Sequence, residues 1–308
     1  MADKHPTSFY ADKYKVETGK AIHLKEWSTD DNDKPVLKEE GGKILKEDIQ
    51  KLSEIQVKLY ASNRFSVLIV IQAMDAAGKD SVIKHVMSGL NPQGVDVTAF
   101  KTPTHQELEH DYLWRHYIAL PARGMFGIFN RSHYENVLIT RVHPEYILNE
   151  NLPGIHSVTD IDKSFWDKRF KQINHFEKTL VDNGTVILKF FLHVSKKEQK
   201  KRFIERINDP AKNWKFSATD IKERGLWKEY RKAYEDMLEN TSNPDRAWFV
   251  IPADDKWFTR FVIANIIVNE LSKLDLNYPQ PTAQQKMELE NAKKMLTGES
   301  DAPDDNND

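Results

Sequence analysis

Residues 66–79 read Ser-Val-Leu-Ile-Val-Ile-Gln-Ala-Met-Asp-Ala-Ala-Gly-Lys, and the type of fold can be inferred from them. The apolar, β-branched run 66–72 is typical of a strand buried on both faces of a sheet. Gly78 permits a sharp turn, after which a helix is predicted from Lys79. A strand, a loop and a helix in this order predict a phosphate-binding loop, although the standard pattern has Gly at position 73 and Ser or Thr at position 80.

Such loops bind phosphate through successive backbone N–H groups and the N-terminus of the following helix. Lys79 is expected to reach a phosphate oxygen. The alternative is a purely structural role, in which the segment is a tight strand-to-helix turn with a surface lysine. Asp80 suits a helix start, since the helix dipole favours negative charge there, and Ser81 offers a hydroxyl one position late. The predicted phosphate-binding residues of the loop are Ala76, Ala77, Gly78, Lys79, Asp80 and Ser81.

Asp75 is a carboxylate inside this loop, where it would repel bound phosphates unless a cation lay between them. Mg²⁺ prefers oxygen ligands and bridges phosphates, so we predict Asp75 as a metal ligand. Asp75 could equally cap the loop through backbone N–H groups, and the two roles are compatible.

A second group of polar residues follows the strand predicted at 125–130. Ligands of parallel α/β sheets bind beyond the carboxyl ends of the strands, which places this group beside the loop. P-loop NTPases normally carry an acidic metal ligand at such a strand end, and Asn130 occupies that position here. Glu135 is the nearest carboxylate that could take the place of the missing acid. Arg131 could neutralise a transferring phosphoryl group. Surface ion pairing is the alternative for both, and His133 is interpreted as a structural hydrogen-bonding residue.

Strand and helix patterns alternate along the chain, which predicts an α/β fold with a parallel sheet covered by helices on both faces. The predicted strands are 66–72, 95–100, 125–130, 185–193 and 248–252; the predicted helices are 42–62, 79–90, 106–119, 133–141, 164–183, 196–208, 219–239, 256–273 and 282–295. Residues 209–243 are too long for a simple crossover and are interpreted as a lid insertion that closes over substrate.

Three parts are predicted from these patterns. Residues 1–41 form an N-terminal arm, residues 42–273 form the main domain with the insertion at 209–243, and residues 274–308 form a peripheral helix followed by a disordered acidic tail.

Charge is distributed unevenly along a chain whose net charge is only −2. Residues 196–232 carry 13 Lys/Arg against 6 Asp/Glu, an excess that can bind a polyanion or simply form a solvated face. No nucleic-acid module and no zinc-ligand spacing is recognisable, and the absence of cysteine excludes disulfides and thiolate sites. The sequence predicts no signal peptide and no membrane span, hence a cytoplasmic protein without membrane partners.

The chain resembles the polyphosphate kinases of family 2, and most closely their class III subgroup, from about residue 45 to 271. The resemblance rests on Gln-Ala-Met-Asp-Ala-Ala-Gly-Lys-Asp at 72–80, Ile-Phe-Asn-Arg-Ser-His-Tyr-Glu at 128–135, the basic segment 190–203, and Asn-Trp-Lys-Phe-Ser at 213–217. Asn130, where most of the family has Asp, matches the class III pattern. That departure leaves open which carboxylates bind the metal.

This resemblance implies a thymidylate-kinase-like P-loop kinase fold with three layers and a helical lid. It implies reversible phosphoryl transfer between inorganic polyphosphate and nucleotides, AMP to ADP and ADP to ATP, with Mg²⁺ as cofactor and Mn²⁺ as an alternative ion. A homo-oligomer, a dimer or tetramer, is expected. The implied catalytic residues are Asp75, Lys79, Arg131, Glu135 and Arg206, with Asp75 and Glu135 as metal ligands; Lys101, Arg115, Arg131 and Lys215 are the further phosphate-binding candidates.

Two other functions stay open at this stage. An ordinary nucleoside monophosphate kinase that uses ATP would have the same fold. A polyphosphate- or nucleotide-binding regulator without catalysis would keep the loop and the basic excess.

Overall fold

Strand β1 lies at the centre of a parallel sheet because its residues are apolar on both sides. The computed structural model describes residues 8–31, 34 and 36–298. Within them the sheet has five parallel strands in the order β2-β3-β1-β4-β5. The strands are β1 Ser66–Ala73, β2 Val95–Ala99, β3 Phe126–Asn130, β4 Thr185–His193 and β5 Trp248–Pro252. All five predicted strands are confirmed, with ends shifted by one residue at most.

Helices cover both faces of this sheet, which confirms the predicted three-layer α/β fold of a P-loop kinase. The helices of the described residues are α1 Ser8–Tyr14, α2 Lys38–Ser62, α3 Lys79–Val86, α4 His105–Leu108, α5 Trp114–Tyr117, α6 Ile139–Val142, α7 Lys163–Asp182, α8 Lys196–Asn208, α9 Ala218–Gly225, α10 Trp227–Thr241, α11 Lys256–Leu271 and α12 Ala283–Gly298. Single 3₁₀ turns occur at Pro92–Gly94, His133–Val137, Pro144–Glu150, Val158–Asp160 and Asn213–Lys215.

Alternate residues of β1 enter two different apolar cores. Val67, Ile69 and Ile71 pack with α2, α3 and α11 on one face. Leu68 and Val70 pack with α7 and α10 on the other. The strand is therefore fixed from both sides, and the loop at its carboxyl end starts from a rigid position.

Several predicted helices differ from the observed ones. The helix predicted at 106–119 is wrong: α4 and α5 are separate, and the Asp111 carboxylate accepts a hydrogen bond from Leu113 N at 2.9 Å where a continuous helix would run. The helix predicted at 79–90 ends at Val86, and the one at 133–141 is a 3₁₀ turn followed by α6.

The predicted insertion helix 219–239 is divided into α9 and α10 at Gly225. Helix α9 has no buried residue, whereas α10 buries Ala233, Tyr234, Met237 and Leu238 against the sheet. The second half of the segment 209–243 thus belongs to a layer of the main fold. Only the part up to Gly225 remains a candidate lid.

The described part of the predicted N-terminal arm packs on the main domain, contrary to the prediction that the core begins at residue 42. Tyr14, Val16 and Leu24 are at most 4% exposed. Val16 N donates to Trp248 O at 2.8 Å, which attaches the arm to the edge strand β5. Helix α12 is present where a peripheral helix was predicted and has no buried residue; the tail predicted to be disordered lies, from residue 299, outside the described residues.

Candidate active site

The loop between β1 and α3 forms one side of the candidate site. Ala76 has φ 59° and Gly78 has φ 111°, both left-handed, and α3 begins directly after Gly78. For Ala76 this backbone conformation is sterically costly, so the surrounding structure must hold it. The six predicted loop residues 76–81 therefore form a curved backbone segment that ends in a helix N-terminus, the geometry that binds phosphate.

Arg202 of α8 holds this loop from behind. Its side chain is 6% exposed and donates to Ala77 O at 2.7 Å, Ala76 O at 3.2 Å and Ala253 O at 2.6 Å. Nη2 also donates to Asp254 O at 3.0 Å. An arginine fixed by four carbonyl oxygens has a structural role, whereas in the sequence it is only one charge of the basic segment. No local pattern distinguishes it from its neighbours on α8.

Gln199, one turn earlier on α8, connects the loop to the candidate lid. Its Nε2 donates to Asp75 O at 2.9 Å, and its Oε1 accepts from Arg224 Nη1 of α9 at 2.7 Å. A chain of two hydrogen bonds therefore joins α9 to the backbone of the loop. The sequence analysis did not identify this residue either.

Lys79 lies at the first position of α3 and its ammonium group points back toward β1. Nζ donates to Ala73 O at 3.0 Å. Burial lowers the pKa of Lys79 and the nearby Arg131 lowers it further, while the charges of Asp75 and Glu135 act in the opposite direction. A lysine with one neutral acceptor and two nearby carboxylates is well placed to move onto a phosphate oxygen.

The turn after β3 forms the opposite side of the site. Arg131 has φ 63°, a left-handed conformation unusual for a side chain of this size, and its N–H donates to Ile71 O at 3.2 Å. Its guanidinium Nη2 lies 3.2 Å from Asp75 Oδ1. The structure therefore brings together the loop carboxylate and the strand-end arginine, as the sequence predicted.

Glu135 projects from the same turn toward this pair. Burial raises the pKa of its carboxyl and Asp75 adds to the rise, whereas Arg131 and Lys79 oppose it. In the amide orientation that satisfies both neighbours, Gln72 Nε2 donates to Glu135 Oε1 at 3.0 Å while Gln72 Oε1 accepts from Ser132 Oγ at 2.9 Å. Gln72 thus orients the carboxylate from the end of β1.

Asp80 is held by two residues from different elements. Asn130 Nδ2 donates to Asp80 Oδ1 at 2.9 Å, and Lys215 Nζ lies 3.4 Å from Asp80 Oδ2. Partial burial acts to raise the pKa of Asp80, but the Asn130 hydrogen bond and the Lys215 charge lower it overall. Ser81 faces another way, since its hydroxyl accepts from Arg260 Nη2 at 2.7 Å.

Arg206, at the end of α8, pairs with a residue that the sequence analysis did not select. Its Nη1 lies 3.4 Å from Asp220 Oδ2 of α9. Burial raises the pKa of Asp220, and the charge of Asp75 adds to the rise. A carboxylate near other carboxylates is a recognisable feature of a site, but only the tertiary structure shows the proximity.

Lys101 and Arg115 lie together on the far side of the site. Arg115 Nη1 donates to Lys101 O at 3.0 Å, and its Nε lies 3.2 Å from Glu107 Oε1. Partial burial lowers the pKa of Arg115, while Glu107 acts to raise it. The side chain of Arg115 thus fixes the backbone of Lys101.

A cavity of about 480 Å³ lies between these groups. Asp75, Lys101, Arg115, Arg131 and Glu135 line it, and α9 contributes a wall through Asp220 and Glu223. Five of the residues selected from the sequence therefore line one partly open cavity. The other selected residues are not part of its wall: Ala76, Ala77, Gly78, Lys79, Asp80, Ser81, Arg206 and Lys215. The volume suits a small polar ligand.

Of the carboxylates that line this cavity, Asp75 and Glu135 are the two predicted from the sequence to hold a divalent cation. In the described ranges no group of three or more His, Cys, Asp or Glu residues is arranged as a metal site. Mg²⁺ commonly takes only one or two carboxylates and completes its shell with water and substrate phosphates, so the two residues fit Mg²⁺ bound together with a phosphorylated substrate.

The sheet has the order 2-3-1-4-5, and the phosphate-binding loop lies beside a cavity that is lined by a strand-end arginine and several carboxylates. This arrangement defines the class of P-loop kinases. These enzymes transfer phosphoryl groups by positioning and charge stabilisation. Along the described part of the chain no helix is both long and apolar enough to cross a membrane.

Residues 36–279 match the family model of polyphosphate kinase 2, and the chain belongs to that family. It is 46% identical over 284 residues to an ADP-polyphosphate phosphotransferase of Rhodopseudomonas palustris, covering 92% of this chain and 97% of the relative. It is 42% identical over 287 residues to an AMP/ADP-polyphosphate phosphotransferase of Meiothermus ruber, covering 90% and 99%.

Similar structures have also been solved. The crystal structure of polyphosphate kinase 2 from Arthrobacter aurescens superimposes with a TM-score of 0.82 at 36% identity, and the match covers 92% of this chain and 96% of that one. The fold and the family expected from the sequence are both confirmed.

Proposed function

We propose that this protein is a Mg²⁺-dependent phosphotransferase that moves phosphoryl groups between inorganic polyphosphate and nucleotides, converting AMP to ADP and ADP to ATP reversibly. The observation that carries the proposal is the placement of Asp75, Arg131 and Glu135 around one cavity at the end of the phosphate-binding loop. Membership of the polyphosphate kinase 2 family and similarity to a relative named as acting on both AMP and ADP support the choice of substrates.

The reaction is direct transfer, in which the acceptor phosphate attacks the terminal phosphorus of polyphosphate and the shortened chain leaves. The backbone N–H groups of residues 76–81 and the ammonium of Lys79 bind phosphate oxygens. Arg131 and Arg206 stabilise the charge that spreads over the transferring oxygens. Arg131 is hydrogen-bonded to Asp75 at 3.2 Å and Arg206 to Asp220 at 3.4 Å, so each guanidinium group would exchange a carboxylate for a phosphate oxygen when substrate binds.

Asp75 and Glu135 would hold Mg²⁺, which bridges and neutralises phosphate oxygens when bound. The raised pKa of Glu135 fits this role, because its carboxylate lacks sufficient positive charge until a cation is present. Mn²⁺ is expected to substitute.

The donor chain is proposed to approach along the basic segment 196–232. Lys215 of the 3₁₀ turn Asn213–Lys215 and Lys101 with Arg115 lie on two sides of the site and provide further phosphate contacts. Localisation in the cytoplasm and assembly as a dimer or tetramer stay predictions from the sequence.

The decisive experiment is incubation of the purified protein with AMP, Mg²⁺ and polyphosphate, followed by chromatographic separation of ADP and ATP. Both products are expected, with ADP appearing first. ADP alone would reject the second step, and product formation from ATP but not from polyphosphate would show an ordinary nucleoside monophosphate kinase. The Lys79→Ala variant is the control, because a regulator without catalysis would give the same background rate in both proteins.

A further inference from the structure

A second polar cluster packs against the turn that carries Arg131 and Glu135, and none of its four members lines the cavity. It consists of Glu177 of α7, Lys189 of β4, and His133 and Tyr134 of the 3₁₀ turn, and each of these side chains is 0% exposed. Lys189 Nζ donates to Glu177 Oε2 at 2.7 Å, to Thr241 O at 2.8 Å and to Tyr134 Oη at 3.0 Å. All three protons of the ammonium group are thus used.

A buried pair of this kind is a poor way to stabilise a fold. Removing two charges from water is costly, and replacing such a pair by apolar residues of similar size is often neutral or stabilising. Burial acts to raise the pKa of Glu177, but the charge of Lys189 and the hydrogen bond from His133 lower it to about 2, so the carboxylate stays ionised. The cluster therefore calls for a role other than stability.

Its contacts point to the adjacent turn. Tyr134 Oη donates to Glu177 Oε1 at 2.5 Å, and His133 Nε2 lies 3.2 Å from the same oxygen. Two consecutive residues of the turn are thus fixed on one carboxylate oxygen. Arg131, two residues before His133, and Glu135, directly after Tyr134, line the cavity.

The turn needs such support, because Arg131 adopts the left-handed φ of 63°. A residue of this kind keeps that conformation only where neighbouring contacts enforce it. Ser132, which follows Arg131, is 0% exposed, and its Oγ accepts a hydrogen bond from Tyr134 N at 3.3 Å. Because Ser132 is bonded to Arg131 in the chain, fixing Tyr134 also restricts the backbone of Arg131.

We propose that the buried Glu177–Lys189 pair is a positioning pair: through His133 and Tyr134 it fixes the orientation of Arg131 and Glu135 without touching substrate. The proposal rests on the proposed function only in that Arg131 and Glu135 act in the transfer. A positioning role predicts loss of turnover with little loss of substrate binding, because the phosphate-binding loop and the rest of the cavity wall are unchanged.

The test compares two variants with a matched control. In Tyr134→Phe only the hydroxyl that joins the turn to Glu177 and Lys189 is removed. In the double variant Glu177→Gln with Lys189→Met both members of the pair are removed together, so that neither leaves the other unpaired. Arg246, whose Nε lies 3.5 Å from Glu177 Oε2, keeps its ion pair with Asp245 at 2.7 Å. The control is Asn265→Leu, which removes a buried hydrogen bond of Asn265 Nδ2 to Asp48 Oδ2 at 3.2 Å on the opposite face of the sheet.

We expect kcat for phosphoryl transfer to fall about 10- to 100-fold in both test variants, while KM for the nucleotide changes by less than about threefold. The nucleotide Kd from calorimetry should follow KM. In Asn265→Leu, kcat should stay within about twofold of wild type even if Tm falls. Equal kcat losses in the test variants and the control, or a KM that rises as much as kcat falls, would overturn the proposal.

Two further results separate this proposal from other failures. If the double variant does not fold, Tyr134→Phe decides alone, since it keeps both charges and their pairing. If the wild-type protein transfers nothing from polyphosphate but does transfer from ATP, the proposed function fails, and the ratios of kcat between variant and wild type, measured with ATP, still test the positioning pair.

Discussion

The two sides of the turn after β3 carry charges of the same kinds held in opposite ways. On the cavity side, the Arg131 and Asp75 side chains are 41% and 33% exposed and lie 3.2 Å apart. On the inner side, Lys189 and Glu177 are 0% exposed and lie 2.7 Å apart, and Lys189 has three acceptors.

The difference shows which charges can change partners. A half-exposed pair is worth little, so a phosphate or a metal ion can replace either member at small cost. A fully buried pair cannot separate without leaving an uncompensated charge in the interior. Arg131 and Asp75 are therefore suited to binding substrate. Lys189 and Glu177 are suited to holding the backbone of the turn that carries Arg131 in place.

The largest effect is expected at Lys79, on the cavity side. Lys79→Ala removes the cation proposed to bind phosphate oxygens in the transition state, and kcat should fall about 10³-fold. The measurement is the rate of ADP formation from AMP and polyphosphate. Lys84→Ala changes an exposed lysine of the same helix α3 and should retain wild-type kcat. A rate for Lys79→Ala within tenfold of wild type would contradict a catalytic role.

A smaller effect is expected at Glu135. Glu135→Gln keeps the size of the side chain but removes the charge proposed to hold Mg²⁺, so kcat should fall about 10²-fold while the nucleotide Kd changes little. Titration with Mn²⁺, followed by the paramagnetic signal of the free ion, should show weaker binding in the presence of nucleotide. Glu145→Gln, a half-exposed carboxylate nearby, serves as control. Unchanged turnover would remove Glu135 from the metal site.

His116 of α5, a buried residue that lines the cavity and whose ring lies 5.7 Å from that of His133, should affect the dependence of stability on pH. Burial lowers the pKa of His116 well below its ordinary value of 6.5, and His133 and Arg115 add to this effect. Below pH 6.5 the unfolded chain gains a proton there while the folded protein does not, so the contribution of His116 is complete above 6.5. As the pH falls, that contribution is lost by up to about 1.4 kcal/mol per pH unit.

Replacing this histidine should therefore flatten the curve. In His116→Gln the free energy of unfolding from urea titrations should fall less between pH 7 and pH 5, by about 1–2 kcal/mol, than in wild type. His105→Gln, whose side chain is 92% exposed in the native protein, should show the wild-type slope. Identical slopes in all three proteins would mean that His116 titrates freely when folded.

The smallest effect is expected for the contact between the candidate lid and the loop. The pair formed by Lys215 and Asp80 is exposed and 3.4 Å long, so Lys215→Ala should raise KM for polyphosphate only about two- to threefold, and less at high salt. Lys212→Ala alters a lysine paired with Asp209 in the same loop and measures the effect of charge alone. A tenfold change for Lys215 would place it among the tightly held charges.

The outer side of the turn could be found from the sequence, because its residues occupy fixed offsets from a strand and a glycine. Asp75, Lys79, Arg131 and Glu135 each lie within a few residues of a strand end, and parallel strands bring their carboxyl ends to one edge. The inner side could not. Glu177 and Lys189 are 12 residues apart, while Lys189 and Tyr134 are 55 apart, and no local pattern marks any of them.

Local sequence patterns also failed to predict where two of the helices are interrupted. The chain between α4 and α5 has helical periodicity, yet Asp111 ends it through a hydrogen bond to Leu113 N. At Gly225 the predicted insertion helix divides, and its second half joins the apolar core through Tyr234 and Met237. Whether an amphipathic helix covers a sheet or a site depends on what it meets, which a single segment does not encode.

Short-range patterns were enough to predict the sheet, the loop and the family, since buried strands, glycine turns and the motifs at 72–80 and 128–135 are all local. They could not show which charges are half-exposed around the cavity and which are fully buried behind the turn. Burial and hydrogen-bond partners come from residues far apart in the chain, as in the contact of Arg202 with Ala77, 125 residues away. Whether an arginine of the basic segment holds the loop, as Arg202 does, or contacts phosphate depends on the surface against which its side chain packs.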